Sequence, residues 1–432
     1  MIPSICVKYK VEHWIKISSA FYFTERMVRL VRNTMNFVDL CRGEFGRKVA
    51  YTGVDRITPQ NVVKVVSDTI GIHNRNRTLI DYLYRYMKGD QPILYRNKIV
   101  RPEVNNRVVE NHAFETVKFK AGQICGEPIQ YVCKKKNADK KINEQVDLLN
   151  DYLDEANADA RNIQRAIYQS ATGTSYKAIL KEEDWTKNGD LPPFRIFIPY
   201  PGDCYIVYSQ RNGKPMLSVQ ILKDEDEQQY YLCYSKNQFF EIKNGKVTNY
   251  GINGFGGIPI VECPNNHDRL SDVEIAITLF DAINKYQSDR LNGVEQFVQS
   301  FMKFKNCEVD KNEFLEMVKL GAISVKDTGN GCQSDVELMT AELNQSESQV
   351  AKDDIYNNML IVEAMPNRQS NSGGDTGNAV YLRNGWDFAE RDAKLVEAFT
   401  KEAEKESARI ILNIIRGTSN DVNISTRDFD VK

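Results

Sequence analysis

Nine cysteines (Cys6, Cys41, Cys125, Cys133, Cys204, Cys233, Cys263, Cys307 and Cys332) and four histidines (His13, His73, His112 and His267) are the side chains best suited to nucleophilic, redox or metal chemistry. Their spacing assigns them none. No two cysteines stand at a C-x2-4-C separation, so a zinc ribbon or dithiol motif is not indicated. Their odd number and scatter read as reduced, packed thiols of a cytosolic setting. The histidines are too dispersed for a metal cluster. Phosphate-cradling chemistry fares no better: G-x4-G-K-[ST] is absent, and Gly254-Phe255-Gly256-Gly257 lacks a following helix start, so it reads as a turn. G-x-S-x-G, H-E-x-x-H and an EF-hand loop are likewise missing. Carboxylates are many, but nothing marks two of them as a catalytic pair, and the sequence offers no enzyme chemistry.

What remains is the placement of charge. Lys plus Arg is 57 and Asp plus Glu is 59, a net charge of −2, which argues against gripping nucleic acid by bulk electrostatics. Residues 307–340 carry seven acids and three bases, and residues 342–365 carry five acids and Lys352. Glu347, Asp353 and Asp354 are the acids of the second stretch that could line a surface passed by a polyanion without sticking, because few phosphate–cation contacts mean little counterion release. Acids that simply face solvent would give the same count. Pro366 to Thr376 follows, with no apolar residue beyond the proline and with Arg368 as its only cation. It reads as a polar loop between long helices.

The elements that must position these residues can be read from periodicity. Residues 58–171 are mostly helical: one helix starts at Thr58-Pro59, with Thr58 as N-cap, and others cover about Thr78–Lys88, Asn106–Cys125 and Ile142–Thr172. The lysine-rich run 134–141 reads as a solvated link. Residues 176–262 alternate with period two, predicting an antiparallel sheet with strands at Tyr176–Leu180, Arg195–Ile198, Cys204–Tyr208, Leu217–Leu222, Gln229–Tyr234, Phe239–Lys243, Val247–Tyr250 and Ile258–Cys263. Ser271-Asp272-Val273-Glu274 is a capping box, with Ser271 as N-cap and Glu274 reaching back, opening a helix to about Phe304. A second helix, about Asn344–Met365, presents Ala351, Ile355, Asn358, Val362 and Met365 as one seam. A third runs from about Gly377 to Arg416, kinked at Gly385. Its seam is Trp386, Ala389, Ala393, Val396, Thr400, Ala403, Ser407, Ile410 and Ile414. A short strand within 422–431 ends it. The class is α+β.

At 432 residues, 41% hydrophobic and 27% charged, the composition is that of an ordinary globular chain of several domain-sized units. No window is long and apolar enough for a transmembrane helix. Residues 1–34, with six basic and two acidic residues, lack the apolar run of a signal peptide and are read as an extension of unassigned role.

Several stretches in order resemble the portal proteins of tailed bacteriophages, in the type found in siphophages of Gram-positive hosts. They are Tyr86 to Leu94, Asn105 to Asn111 followed by Gly122 and Gly126-Glu127-Pro128-Ile129, and Ile258 to Glu262 with Asn265 to Glu274. Asp281 to Lys285, Ser288 and Asn292 continue the match, as does Pro366 to Leu382. The resemblance covers about residues 58–432. It implies a portal fold: an α/β wing (35–263), a stem helix (264–306), a small α/β clip (307–340), a second stem helix (341–365), a tunnel loop (366–376), and a long wing helix with a final strand (377–432). A helical crown would follow, and since the sequence stops at Lys432 it is expected to be absent or reduced.

The resemblance further implies a ring homo-oligomer, dodecameric in virions, at one capsid vertex. It would conduct duplex DNA without sequence specificity and dock the terminase large subunit, head–tail adaptors, and major capsid and scaffolding proteins. It implies no cofactor, no metal and no membrane. Residues Asn367, Arg368, Gln369, Ser370 and Asn371 would face phosphates; an inter-subunit salt bridge is the other reading of Arg368. An oligomeric helical scaffold or adaptor of the virion is the alternative function, and a nuclease would need a clustered carboxylate site.

Overall fold

A computed structural model describes residues 36–99, 102–134, 140–186, 189, 191–298, 301–305, 310, 312, 335–339, 345–368 and 384–432. Outside the described residues lie the 1–34 extension, most of the lysine-rich run and most of the 307–340 module. Gln369, Ser370, Asn371 and the expected helix start at Gly377 also lie outside them.

The chain divides into two compact units. One comprises the chain up to Pro92, Asn111–Phe280 and Asn357–Lys432; the other comprises Ile93–Glu110 and Asp281–Tyr356. In the first, α1 (Phe37–Cys41) and β1 (Ala50–Thr52) precede α2 (Val62–Met87). The expected separate helices at Thr58 and Thr78 are one continuous helix. Thr58 does not cap it: Thr58 to Asn61 form a turn, in which Thr58 N donates to Asn61 Oδ1 at 2.8 Å, and Asn61 is the N-cap. Gly71 does not interrupt it.

Next come α3 (His112–Cys125), β2 (Tyr131–Cys133), α4 (Lys140–Glu155) and α5 (Ala158–Thr172). The expected helix from Asn106 begins only at His112, and the one expected from Ile142 to Thr172 is broken, with Asn157 left-handed at φ +53° as the N-cap of α5. Gly173 ends α5 at φ +83°, and a Cβ there would meet the Arg269 carbonyl oxygen at 2.0 Å, so only glycine fits.

The strands expected between 176 and 263 are present as β3 (Thr174–Lys181), β4 (Phe194–Phe197), β5 (Cys204–Ser209), β6 (Pro215–Lys223), β7 (Gln229–Tyr234), β8 (Gln238–Lys243), β9 (Lys246–Ile252) and β10 (Ile260–Pro264). They build two sheets rather than one. A six-stranded sheet has the order β1-β5-β6-β7-β8-β9, with β1 parallel to β5, and a three-stranded sheet has the order β10-β3-β4. Val62, Val65 and Val66 of α2 pack with Val207, Leu217, Val219 and Phe240 of the larger sheet. The smaller sheet shares a core with α4 and with Ile410, Ile411, Ile414 and Ile415 of α8 (Trp386–Gly417). A final strand, β13 (Phe429–Val431), pairs antiparallel with β2.

Gly385 stands at φ +83° as the N-cap of α8 and marks the start of the described helix rather than a kink inside it. The expected seam of α8 holds along its second half, where Thr400, Ala403, Ser407, Ile410 and Ile414 are buried.

His73 on α2 is buried, its Nε2 2.8 Å from the Gly202 carbonyl and its ring stacked on Tyr205. Burial pulls its pKa down to about 4, against the pull of that carbonyl. A depressed folded-state value means the unfolded chain binds the proton more readily, so stability falls as pH drops from the ordinary imidazole range toward 4, by about 3 kcal/mol in all. A His73→Gln variant is expected to lose that component, which urea denaturation at pH 7 and pH 4 measures.

In the second unit, β11 (Phe301–Lys305) pairs antiparallel with β12 (Asp335–Met339). The unit boundaries at 280/281 and 356/357 fall inside α6 (Asp272–Val298) and α7 (Gln345–Val362). The helix expected to reach Phe304 therefore stops at Val298, and its last residues are a strand.

Candidate functional site

The residues singled out by sequence sit at three places: the start of α6, the exposed side of α7, and the segment that leaves α7. At the first, Ser271 and Glu274 make the reciprocal bonds of a capping box. Val273 N donates to Ser271 Oγ at 3.0 Å, and Ser271 N donates to Glu274 Oε1 at 3.2 Å. Both side chains do more than cap. Ser271 Oγ donates to the last carbonyls of α5, Ala171 O at 2.8 Å and Ser170 O at 3.0 Å. Glu274 Oε1 also accepts from Gly46 N at 2.9 Å, and Oε2 pairs with the Arg47 guanidinium, both side chains being fully buried. The helix start is thus bolted to two distant pieces of chain.

The second unit explains why Asn105 to Asn111 and the positions Asn284, Ser288 and Asn292 occur together. The segment 106–110 is extended, and its alternate amides each meet one of these side chains. Asn106 N donates to Asn292 Oδ1 (2.7 Å), Val108 N to Ser288 Oγ (2.9 Å) and Glu110 N to Asn284 Oδ1 (2.9 Å). Two residues of extended chain span about 6.6 Å and four residues of helix about 6 Å, so the repeats match and an antiparallel ladder forms between a chain and a helix face. Part-buried amides are thereby satisfied without a β-partner.

On α7, Glu347, Asp353 and Asp354 are exposed, and Asp353 Oδ1 accepts from Gln349 Nε2 at 2.6 Å. Lys352 turns the other way, half-buried, with Nζ 2.5 Å from Glu110 Oε1 and 3.2 Å from Gln287 Oε1. The only base of residues 342–365 is therefore turned onto Glu110, while Arg290 of α6 donates to Gln349, the residue bonded to Asp353. The seam expected on α7 holds in part: Met365 is buried and Ala351 and Ile355 are half-buried, but Asn358 and Val362 are exposed, whereas Met359, Leu360 and Glu363 are buried. Val350 and Ile361 also stand exposed on this helix.

In the segment leaving α7, Asn367 N donates to Asn384 O at 2.9 Å and its side-chain amide to Asn357 Oδ1 at 3.0 Å. Arg368 pairs with Glu115 Oε1 at 2.5 Å, within the chain, with 54% of its side chain exposed. Glu115 Oε2 is 2.8 Å from His112 Nδ1. An ion pair this exposed contributes at most about 1 kcal/mol, so a phosphate could compete with Glu115 for the guanidinium.

Sequence reasoning missed a buried charge cluster. Glu404, 2% exposed, lies between Ala403 and Ser407 on the packing side of α8. Its carboxylate meets Lys177 Nζ at 2.8 and 3.0 Å, Arg165 Nε at 3.8 Å and the Tyr131 hydroxyl at 3.3 Å. Burial penalises its charge, yet Lys177 and Arg165 outweigh that penalty and hold the carboxyl below its usual range. The signal was available: position 404 shares its face with 400, 403 and 407. Among the described residues, no group of three or more His, Cys, Asp or Glu side chains could hold a metal ion, and no helix is long and apolar enough to cross a membrane.

Residues 67–432 match the family model described as phage portal protein, SPP1 Gp6-like, and the chain belongs to that family. It is thereby a portal protein of tailed phage, a structural component of the virion at the head–tail connector. Among solved structures it is similar to the neck of an empty GTA particle computed with C6 symmetry, at TM-score 0.44 and 11% identity over 74% of this chain and 80% of that one. It is also similar to the neck of a native GTA particle computed with C12 symmetry, at TM-score 0.43 and 12% identity over 74% and 79%. No curated protein matches it.

Proposed function

We propose that the chain is a subunit of a homo-oligomeric ring, a dodecamer in the virion, whose axial channel conducts duplex DNA during packaging and ejection. The observation that carries this reading is the acid excess of α7: Glu347, Asp353 and Asp354 are exposed while Lys352 is turned onto Glu110. A wall of this kind repels phosphates and offers no counterion-release binding, so DNA slides past it. Family membership supports the same reading.

The segment that begins at Pro366 is the channel loop, and Asn367 and Arg368 with Gln369, Ser370 and Asn371 are its DNA-facing residues. The strand pair β11–β12 belongs to the clip, where a separate terminase large subunit docks during packaging in the host cytoplasm and a head–tail adaptor docks later. Capsid and scaffolding proteins surround the ring. The subunit performs no catalytic step of its own, and ATP hydrolysis belongs to the terminase.

Deleting residues 367–375 is expected to leave ring assembly intact and to abolish DNA packaging. Negative-stain imaging of the purified protein and a packaging assay measure the two. Rods or simple dimers instead of rings, or full packaging by the deletion, would overturn the proposal.

A further inference from the structure

Glu363 closes the last turn of α7, directly before the Pro366–Arg368 segment, and is only 3% exposed. Among the described residues, its Oε1 has no hydrogen-bond partner. Three charged side chains act on it from three elements: Asp272 at the start of α6, Asp392 on α8 and Lys120 on α3.

The two other carboxylates are already served. Asp272 accepts from Ser170 Oγ at 2.5 Å and from Asn265 Nδ2 at 2.8 Å. Asp392 accepts from Lys120 Nζ at 2.6 Å. Lys120 is thus committed, and ionising Glu363 as well would set three carboxylates around one ammonium. A buried carboxylate with an oxygen that no donor reaches is strongly disfavoured, and such a group takes up a proton instead. The backbone here is tight: Ala364 is left-handed at φ +50°, and Met365 N donates to Leu360 O at 2.8 Å. The seat of the carboxyl and the course of the turn are therefore tied together.

We propose that Glu363 is held as the neutral acid and that, in this form, it is a positioning residue that sets where the Pro366–Arg368 segment leaves the helix. The inference rests on reading that segment as the start of the channel loop, but its test involves no DNA, so its failure is distinct from a failure of the packaging experiment.

Burial first, and then the charge of Asp272, pushes the carboxyl well above its usual range, with Lys120 opposing. A raised folded-state value means that the native chain holds the proton longer than the unfolded one. The contribution is complete below the ordinary carboxyl range and is lost as pH rises through the folded-state value. Ionised Glu363 must then leave its seat and release the turn.

The experiment uses the full-length assembled protein and its Glu363→Gln variant, which keeps the shape and cannot ionise. Infrared spectroscopy of the wild type is expected to show a protonated-carboxyl C=O band that shifts in D2O and is missing in the variant. Amide exchange of peptides covering 359–368, corrected for the intrinsic rate, is expected to lose protection about tenfold per pH unit above the ionisation. The variant should stay flat over the same range. A spectrum with no band removed by the substitution, or the same pH dependence in both proteins, overturns the proposal. If the variant does not assemble, the wild-type titration decides alone: a 359–368 segment whose corrected protection does not fall in alkali overturns it.

Discussion

Glu404→Gln is expected to lower the unfolding free energy by about 3–5 kcal/mol, the cost of breaking a buried ion pair from one side. Lys177 Nζ has Glu404 Oε2 at 2.8 Å and Asn162 Oδ1 at 3.1 Å, and only the first partner bears charge. Arg165 has its Nη1 on Gln169 Oε1 at 2.8 Å and on Cys263 Sγ at 2.9 Å, so Glu404 is its carboxylate too. A glutamine in that place leaves two buried cations, 1–2% exposed, without the carboxylate that contacts them both. The loss is read from urea denaturation near neutral pH.

Pairing Glu404→Leu with Lys177→Met should recover the part that belongs to Lys177 while Arg165 still lacks its carboxylate, and the non-additivity of the cycle isolates the pair. The acid limb adds a second readout. A carboxyl held below its usual range contributes stability above its unfolded value and loses it as pH falls through the folded one. The Gln variant should lack that part of the acid transition. A loss below about 1 kcal/mol would mean that the cluster is balanced without Glu404.

Glu274→Gln is expected to cost a similar amount, about 3–5 kcal/mol, with a more local signature. The carboxylate serves three donors: Ser271 N within its own helix, and Gly46 N and the Arg47 guanidinium from the 42–50 segment. An amide keeps one acceptor, loses the charge, and leaves Arg47 buried beside a neutral group. Arg47 N, which donates to Asp268 O at 3.2 Å, is the remaining backbone tie to the turn before α6. Amide exchange should therefore quicken first in residues 42–50 and at the start of α6. Ser271→Ala removes the cap together with the bonds to Ala171 O and Ser170 O but strands no charge, and is expected to cost less, about 0.5–2 kcal/mol. A Glu274→Gln loss no larger than this would show that its pairing with Arg47 contributes nothing.

The capping box was readable because both its partners lie within four residues. The three acids of α7 were readable as a charge excess, but not the withdrawal of Lys352 onto Glu110, 242 positions away. Neither was the ladder from Asn284, Ser288 and Asn292 to the amides of 110, 108 and 106. Each half of it looked like an isolated polar motif until the fold laid an extended chain along a helix face. Arg368 was readable as the only cation of its segment; its pairing with Glu115 was not, since Glu115 belongs to a helix 253 positions away.

By itself the sequence determined the class of every strand between 174 and 264, the start of α6 and the buried side of the second half of α8. Each of these follows from period-two or period-3.6 burial and from capping contacts within a turn. Only the tertiary structure decided that those strands divide into two sheets, that β1 joins β5 in parallel, and that β2 pairs with the chain's last strand. It also decided that α2 runs unbroken, placed Glu363 inside and gave Glu404 its buried partners. The physical reason is range: helix and strand periods are set by neighbours a few residues apart. Strand partners and the counter-charges of buried ions come from segments up to hundreds of positions away, where local spacing carries no information.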